Sequence, residues 1–311
     1  MLVYSLLILK DGDYMNDNLF YGFRGNILFP NQTSIFNMGL NNDSSSKNKI
    51  FRGFFNRLEI ELKMESQYQN RIYFLIFKNK YDNIIHCQLA RKKQFNKREL
   101  KDNDIIETED NDYPYVNVFI ELKSQKFLIE SNTQVFENYN TCSNVIENIL
   151  NKNLKDNDIG IELNPINEEQ NFWMYINDEI KVFNIEFKLE TPNMFDAEDD
   201  ATNFLKAAEK NGGSNIVNLS FCNKEGNLKP NKNGINSFVK YVSAGGGTWN
   251  LRILRPNGKK EKITSKQQST KINLPITYEE LRCKMLNSEQ QNIIIDSFNK
   301  IETIEKFKEQ N

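Results

Sequence analysis

Histidine is nearly absent from this 311-residue chain: His86 is the only one. That scarcity excludes multi-histidine metal centres and most chemistry in which an imidazole shuttles protons. His86 stands in the run Asn83-Ile84-Ile85-His86-Cys87-Gln88-Leu89, which reads as a strand whose successive side chains face opposite sides of a sheet. A catalytic His86–Cys87 dyad is therefore disfavoured by geometry, and both side chains read as filler. Cysteine is sparse as well. Cys87, Cys142, Cys222 and Cys283 are scattered, with no Cys-x-x-Cys pair, so a structural zinc site is not expected and the thiols read as reduced. No apolar run approaches the ~20 residues of a membrane span. Residues 2–9 are too short for one and lack the basic flank and cleavage pattern of a secretory signal; they read as a buried strand ahead of the Asp11-Gly12 turn. A cytoplasmic protein with no membrane partner is expected.

Charge is abundant, and it is sorted along the chain. Residues 47–101 carry a net charge of +9, 102–222 carry −16, and 223–271 carry +9, while each end sums to −2. The near-neutral total hides two basic blocks around one acidic block. Such asymmetry points to a polyanionic partner or to a protein bearing the opposite patch. Aromatic residues make up 12% of the chain, which argues against disorder because they supply apolar surface for a core.

The element pattern predicts a mixed α+β fold. A β-rich N-terminal domain spans 1–112, with strands at 2–10, 26–30, 57–65, 71–78 and 84–91 and a loop over 39–49. The acid-rich stretch 101–112 reads as an inter-domain segment. An α/β layered domain spans 113–272: a hairpin of 115–123 with 126–131, helix 135–154, strands 159–164 and 182–190, helix 197–210, strand 215–222, helix 233–243, and a hairpin of 249–255 with 260–265. A C-terminal helical segment covers 273–311. There Ser288 and Gln291 have capping-box spacing, and Ile294, Phe298 and Ile301 form an inward stripe.

The second basic block holds the sharpest candidate site. Arg252, Arg255, Lys259, Lys260 and Lys262 cluster on the 249–265 hairpin, and Trp249 is a candidate for stacking on a base. In the first block, Arg91, Lys92 and Lys93 form a denser cationic cluster, suited to anions or to blunting a strand edge. Phe51-Arg52-Gly53-Phe54-Phe55 begins like an RNA-recognition strand and departs from it at Phe55. The glycines of Ser243-Ala244-Gly245-Gly246-Gly247-Thr248 follow a predicted helix rather than precede one, so they read as helix termination, not a phosphate loop. Asp196, Glu198, Asp199 and Asp200 fit the first turn of a helix better than a metal site.

A Mg²⁺-dependent nuclease is the enzymatic alternative. It would use Asp178 with Glu186-Phe187-Lys188, the carboxylates holding the metal and the lysine aiding the attacking water. Glu121-Leu122-Lys123 and Glu61-Leu62-Lys63 repeat the pattern, which alternating strands produce by pleat alone. Outside that alternative no cofactor is expected and no catalytic residue is assigned.

One stretch has a familiar layout. Phe187-Lys188-Leu189-Glu190-Thr191-Pro192-Asn193 leads through an acidic helix and Gly212-Gly213 to Asn215-Ile216-Val217-Asn218-Leu219-Ser220-Phe221. The turn Asn223-Lys224-Glu225-Gly226, then Val239-Lys240-Tyr241 and the triple glycine follow. This quarter of the chain resembles an uncharacterised family of bacterial proteins associated with phage defence. The resemblance implies a setting in antiviral defence and no functional residue. The sequence thus points to a nucleic-acid-interacting defence protein, with an assembly subunit that docks acidic on basic segments, in an oligomer or with a protein partner, as the competing expectation.

Overall fold

A computed structural model describes residues 18–29, 44–154, 159–191, 200–283 and 285–306. The strand expected at 2–10 and the acids Asp196, Glu198 and Asp199 lie outside them. The first half of the chain runs β1 (Asn18–Leu28), α1 (Ser44–Glu61), β2 (Lys63–Tyr68), β3 (Arg71–Tyr81), β4 (Ile84–Arg91), β5 (Lys93–Lys101), β6 (Asp104–Asp112), β7 (Tyr115–Glu121) and β8 (Lys126–Glu130). Next come α2 (Tyr139–Leu154), β9 (Gly160–Pro165), a one-turn α3 (Gln170–Trp173), β10 (Lys181–Glu190), α4 (Asp200–Gly212), β11 (Ile216–Cys222) and α5 (Lys232–Ser243). The chain closes with β12 (Gly247–Leu254), β13 (Lys260–Thr264), β14 (Lys271–Leu274), α6 (Tyr278–Arg282) and α7 (Ser288–Lys306). The fold is mixed α+β.

Eight strands form one antiparallel sheet in the order β14-β1-β8-β7-β4-β3-β2, with β9 and β14 lying end to end along the same side of β1. This sheet crosses the boundary expected at 112, because β4 pairs with β7 from Ile84↔Glu121 to Ala90↔Tyr115. Both of its faces are covered. α1 and α2 pack Phe51, Phe55, Leu58, Val145 and Ile149 on one face; α7 packs Ile294, Phe298 and Ile301 on the other, against Phe20, Phe119 and Leu128. Double coverage explains why Ile84 to Ala90 are all buried instead of alternating. Cys87 joins the first core, and His86 stacks on Phe119 beside the second, its Nε2 2.9 Å from Asn117 Oδ1.

Three expectations fail here, and the loop expected over 39–49 is the first, since α1 already begins at Ser44. Residues 57–61 are helical, not extended: Phe51, Phe54, Phe55 and Leu58 recur at helical spacing and are buried, so the run that begins like an RNA-recognition strand is the core face of α1. Residues 104–112 are not a linker but the return strand of a hairpin, β5–β6, closed by Asp102 and Asn103 at positive φ. This arm pairs with no other strand among the described residues.

The second sheet is antiparallel with order β11-β10-β12-β13. Its Ile185, Phe187, Leu189, Leu251 and Ile253 pack against Leu205, Val239 and Val242 of α4 and α5. α5 ends in a Schellman motif: Gly246 N–H donates to the Tyr241 carbonyl and Gly245 N–H to Val242, with Gly245 at φ +85°. Gly247 lies so close to β10 that a Cβ would sit 2.1 Å from the Lys188 carbonyl oxygen. The glycine run therefore ends the helix and seats β12 on β10. At the last helix the capping pair falls one residue earlier than expected, with Asn287 Oδ1 accepting from Gln290 N–H at 2.9 Å.

Candidate nucleic-acid interface

One face of the small sheet is packed on helices, and the other carries polar side chains. Pleat and register decide which. Asn184, Glu186 and Lys188 of β10 lie beside Cys222, Ser220 and Asn218 of β11 on one side and Arg252, Asn250 and Thr248 of β12 on the other. Arg252 then pairs with Lys262 of β13, and Leu254 with Lys260. A β-bulge between Val182 and Asn184 brings Lys181, three residues from Asn184, to this same face opposite Leu254.

Four cations thus converge from three adjacent strands: Lys181, Arg252, Lys260 and Lys262. All four are exposed, and none forms an ion pair among the described residues. Neighbouring strands are ~4.8 Å apart, so the rows Lys181–Leu254–Lys260 and Asn184–Arg252–Lys262 form a compact positive surface. On the solvated part of this face Glu186 is the one carboxylate among the described residues, and it accepts a 2.6 Å hydrogen bond from Asn184.

The other cations expected to join them do not. Arg255 and Lys259 both bind Glu261, at 2.6 and 2.7 Å, and Arg255 lies over the Tyr175 ring on the helical side. The two bases hold the Glu261 carboxyl below the usual carboxylate range. Trp249 is fully buried against Phe172, 5.4 Å between ring centroids, and offers no face to a base. Arg91, Lys92 and Lys93 sit at the root of the arm on the large sheet, with Lys93 opposite Asp112.

The nuclease set is not assembled either. Asp178 is bound by Lys229, Glu186 by Asn184, and Lys188 by both oxygens of Glu162 at 2.6 and 2.7 Å. Glu121 caps its own turn by accepting from Lys123 and Ser124 N–H. In Glu61-Leu62-Lys63 the chain passes from helix to strand at Leu62, φ +63°, so no shared pleat aligns the pair. No group of three or more potential ligands among the described residues is arranged to hold a metal ion.

Where the two sheets meet, a polar cluster is sealed rather than open. Asn164 Nδ2 donates to Glu190 at 2.7 Å, and Asn26 Nδ2 to the Gly245 carbonyl at 2.8 Å. Complete burial, reinforced by the neighbouring Glu162 carboxylate, pushes the Glu190 carboxyl well above its ordinary range. Burial opposes ionisation of Glu162 too, but Glu190 and the Lys188 ammonium hold it down. Asn164 on Glu190 and Lys188 on Glu162 tie β9 to β10, which is a structural task. An open cleft of about 770 Å³ is lined by Leu28, Ile159 and Ile216 together with amide and hydroxyl side chains such as Ser66, Asn148 and Asn151.

No protein-family model, curated protein or solved structure matches this chain. No helix among the described residues is long and apolar enough to cross a membrane.

Proposed function

We propose that this protein binds the backbone of a nucleic acid on the open face of its four-stranded sheet. One observation supports this above the rest: Lys181, Arg252, Lys260 and Lys262 lie together on one open sheet face, exposed and without carboxylate partners among the described residues. Lysine and arginine on phosphate release counterions and give sequence-independent affinity. Asn184, Asn218 and Asn250, on the same face, add hydrogen-bonding groups for sugar or base. The antiviral setting rests on the likeness of residues 187–265 to phage-defence proteins and on nothing in the site. No catalytic residue belongs to this reading, and it needs no cofactor.

Fluorescence anisotropy with labelled single-stranded RNA, single-stranded DNA and duplex DNA over a salt series tests it. Replacing all four cations by glutamine should lower the slope of log affinity against log salt by about 3 for single strands and weaken every sequence alike. A parent with no salt-dependent binding, or a variant that keeps the parent's slope, overturns the proposal.

A further inference from the structure

The arm is the least explained element of the fold. Its nine-residue strands extend about 30 Å. All its strand residues except Ile106 and Thr108 are exposed. At its tip Leu100 and Ile105 face each other, 78% and 66% exposed. A lone two-stranded hairpin is marginally stable, and a free strand edge is a template for another chain.

We infer that the outer edge of β6 adds to the outer edge of β13 in a second copy of this chain. Charge complementarity selects this occupant. β6 carries five carboxylates and no base, while β13 presents Lys260 and Lys262, and each strand has one side that no described strand pairs. Side-chain alternation selects the register. In an antiparallel pairing with Glu109 opposite Lys260, and Glu107, which Arg98 of its own arm also binds, opposite Lys262, Ile106 falls beside Ile263 and Thr108 beside Glu261. A slip of one residue would set Glu109 against Glu261. The contact joins unlike surfaces, so it propagates head to tail. It goes beyond the nucleic-acid reading and competes with it for Lys260 and Lys262.

Light scattering on the full chain without nucleic acid tests the inference. At low salt the mass should rise with concentration above the 36.5 kDa of one chain, and in about 1 M salt it should return to that value. Glu109→Lys or Lys260→Glu alone should weaken association about tenfold, and the two together should restore it to within about threefold of the parent. A parent that stays at one-chain mass at every concentration overturns the inference. So does a double variant no better than the singles, which is also what a merely misfolded strand would give. Either failure leaves the nucleic-acid proposal standing, because that is read from salt-dependent binding.

Discussion

The two basic blocks have the same net charge and differ in where the fold lets that charge collect. Block 47–101 meets acids at scattered points: Lys47 is buried beside Glu209 at 3.9 Å, and Lys80 binds Glu59, Lys97 binds Glu99 and Arg98 binds Glu107, each at 2.9 Å, while most of its other bases form no ion pair among the described residues. The border between this block and the acidic one is the turn of the β5–β6 arm, so the two blocks fold onto each other there. Block 223–271 has few acids to meet, and its strands lie in a sheet with one covered face. Arg255 and Lys259 on the covered side find Glu261, whereas Arg252, Lys260 and Lys262 on the open side find none. A run of like charge becomes a patch only where the partner strand fails to neutralise it and the pleat points it outward.

Three experiments break or sharpen this contrast. Trp249→Ala should cost about 4 kcal/mol of stability in denaturant titration, through loss of a fully buried indole on the covered face of the second block. A variant that stays stable but binds nucleic acid poorly would place Trp249 on the wrong face. The first block's buried His86 gives a smaller effect. Burial, only partly offset by Asn117, pushes it down to about 4. Below the unfolded value of 6.5 the unfolded chain takes up the proton first, so stability falls as pH drops from 6.5 towards 4, by about 3 kcal/mol. His86→Phe should gain on the parent by that amount over this range, and parallel pH–stability curves would refute the buried neutral imidazole. The smallest effect belongs to the arm. Its surface pairs are worth at most about 1 kcal/mol. Changing Lys93, Lys97, Arg98 and Lys101 to glutamine should leave the salt dependence of nucleic-acid binding within about 0.5 of the parent's slope. A drop comparable to that of the Lys181, Arg252, Lys260 and Lys262 variant would mean that both blocks face the ligand.

Much of the secondary structure was legible in the sequence. β4 runs from Ile84 to Arg91 as its apolar content foretells, and α5 and the β12–β13 hairpin fall within three residues of expectation. Residues 57–65 misled because Leu58, Ile60, Leu62 and Met64 alternate; the longer helical stripe from Phe51 wins, and it leaves Ile60 81% and Leu62 57% exposed. The arm was hidden because neither of its faces is buried, so no period marks it. Lys181 was missed because the bulge near Phe183 changes the alternation that would have placed it. Glu162 and Glu190 belong to different sheets, and their meeting follows from tertiary packing alone.

Strand β1 has a temporal consequence. One stretch of its edge waits for Gly160 to Pro165, and the stretch beside it for Lys271 to Leu274. A ribosome adding about 5–20 residues per second needs roughly 10–50 s to make the 250 or so residues between Asn18 and the partner that completes its pairing. For all of that interval the Asn18 to Tyr21 end of the strand keeps an open edge that only late synthesis can close.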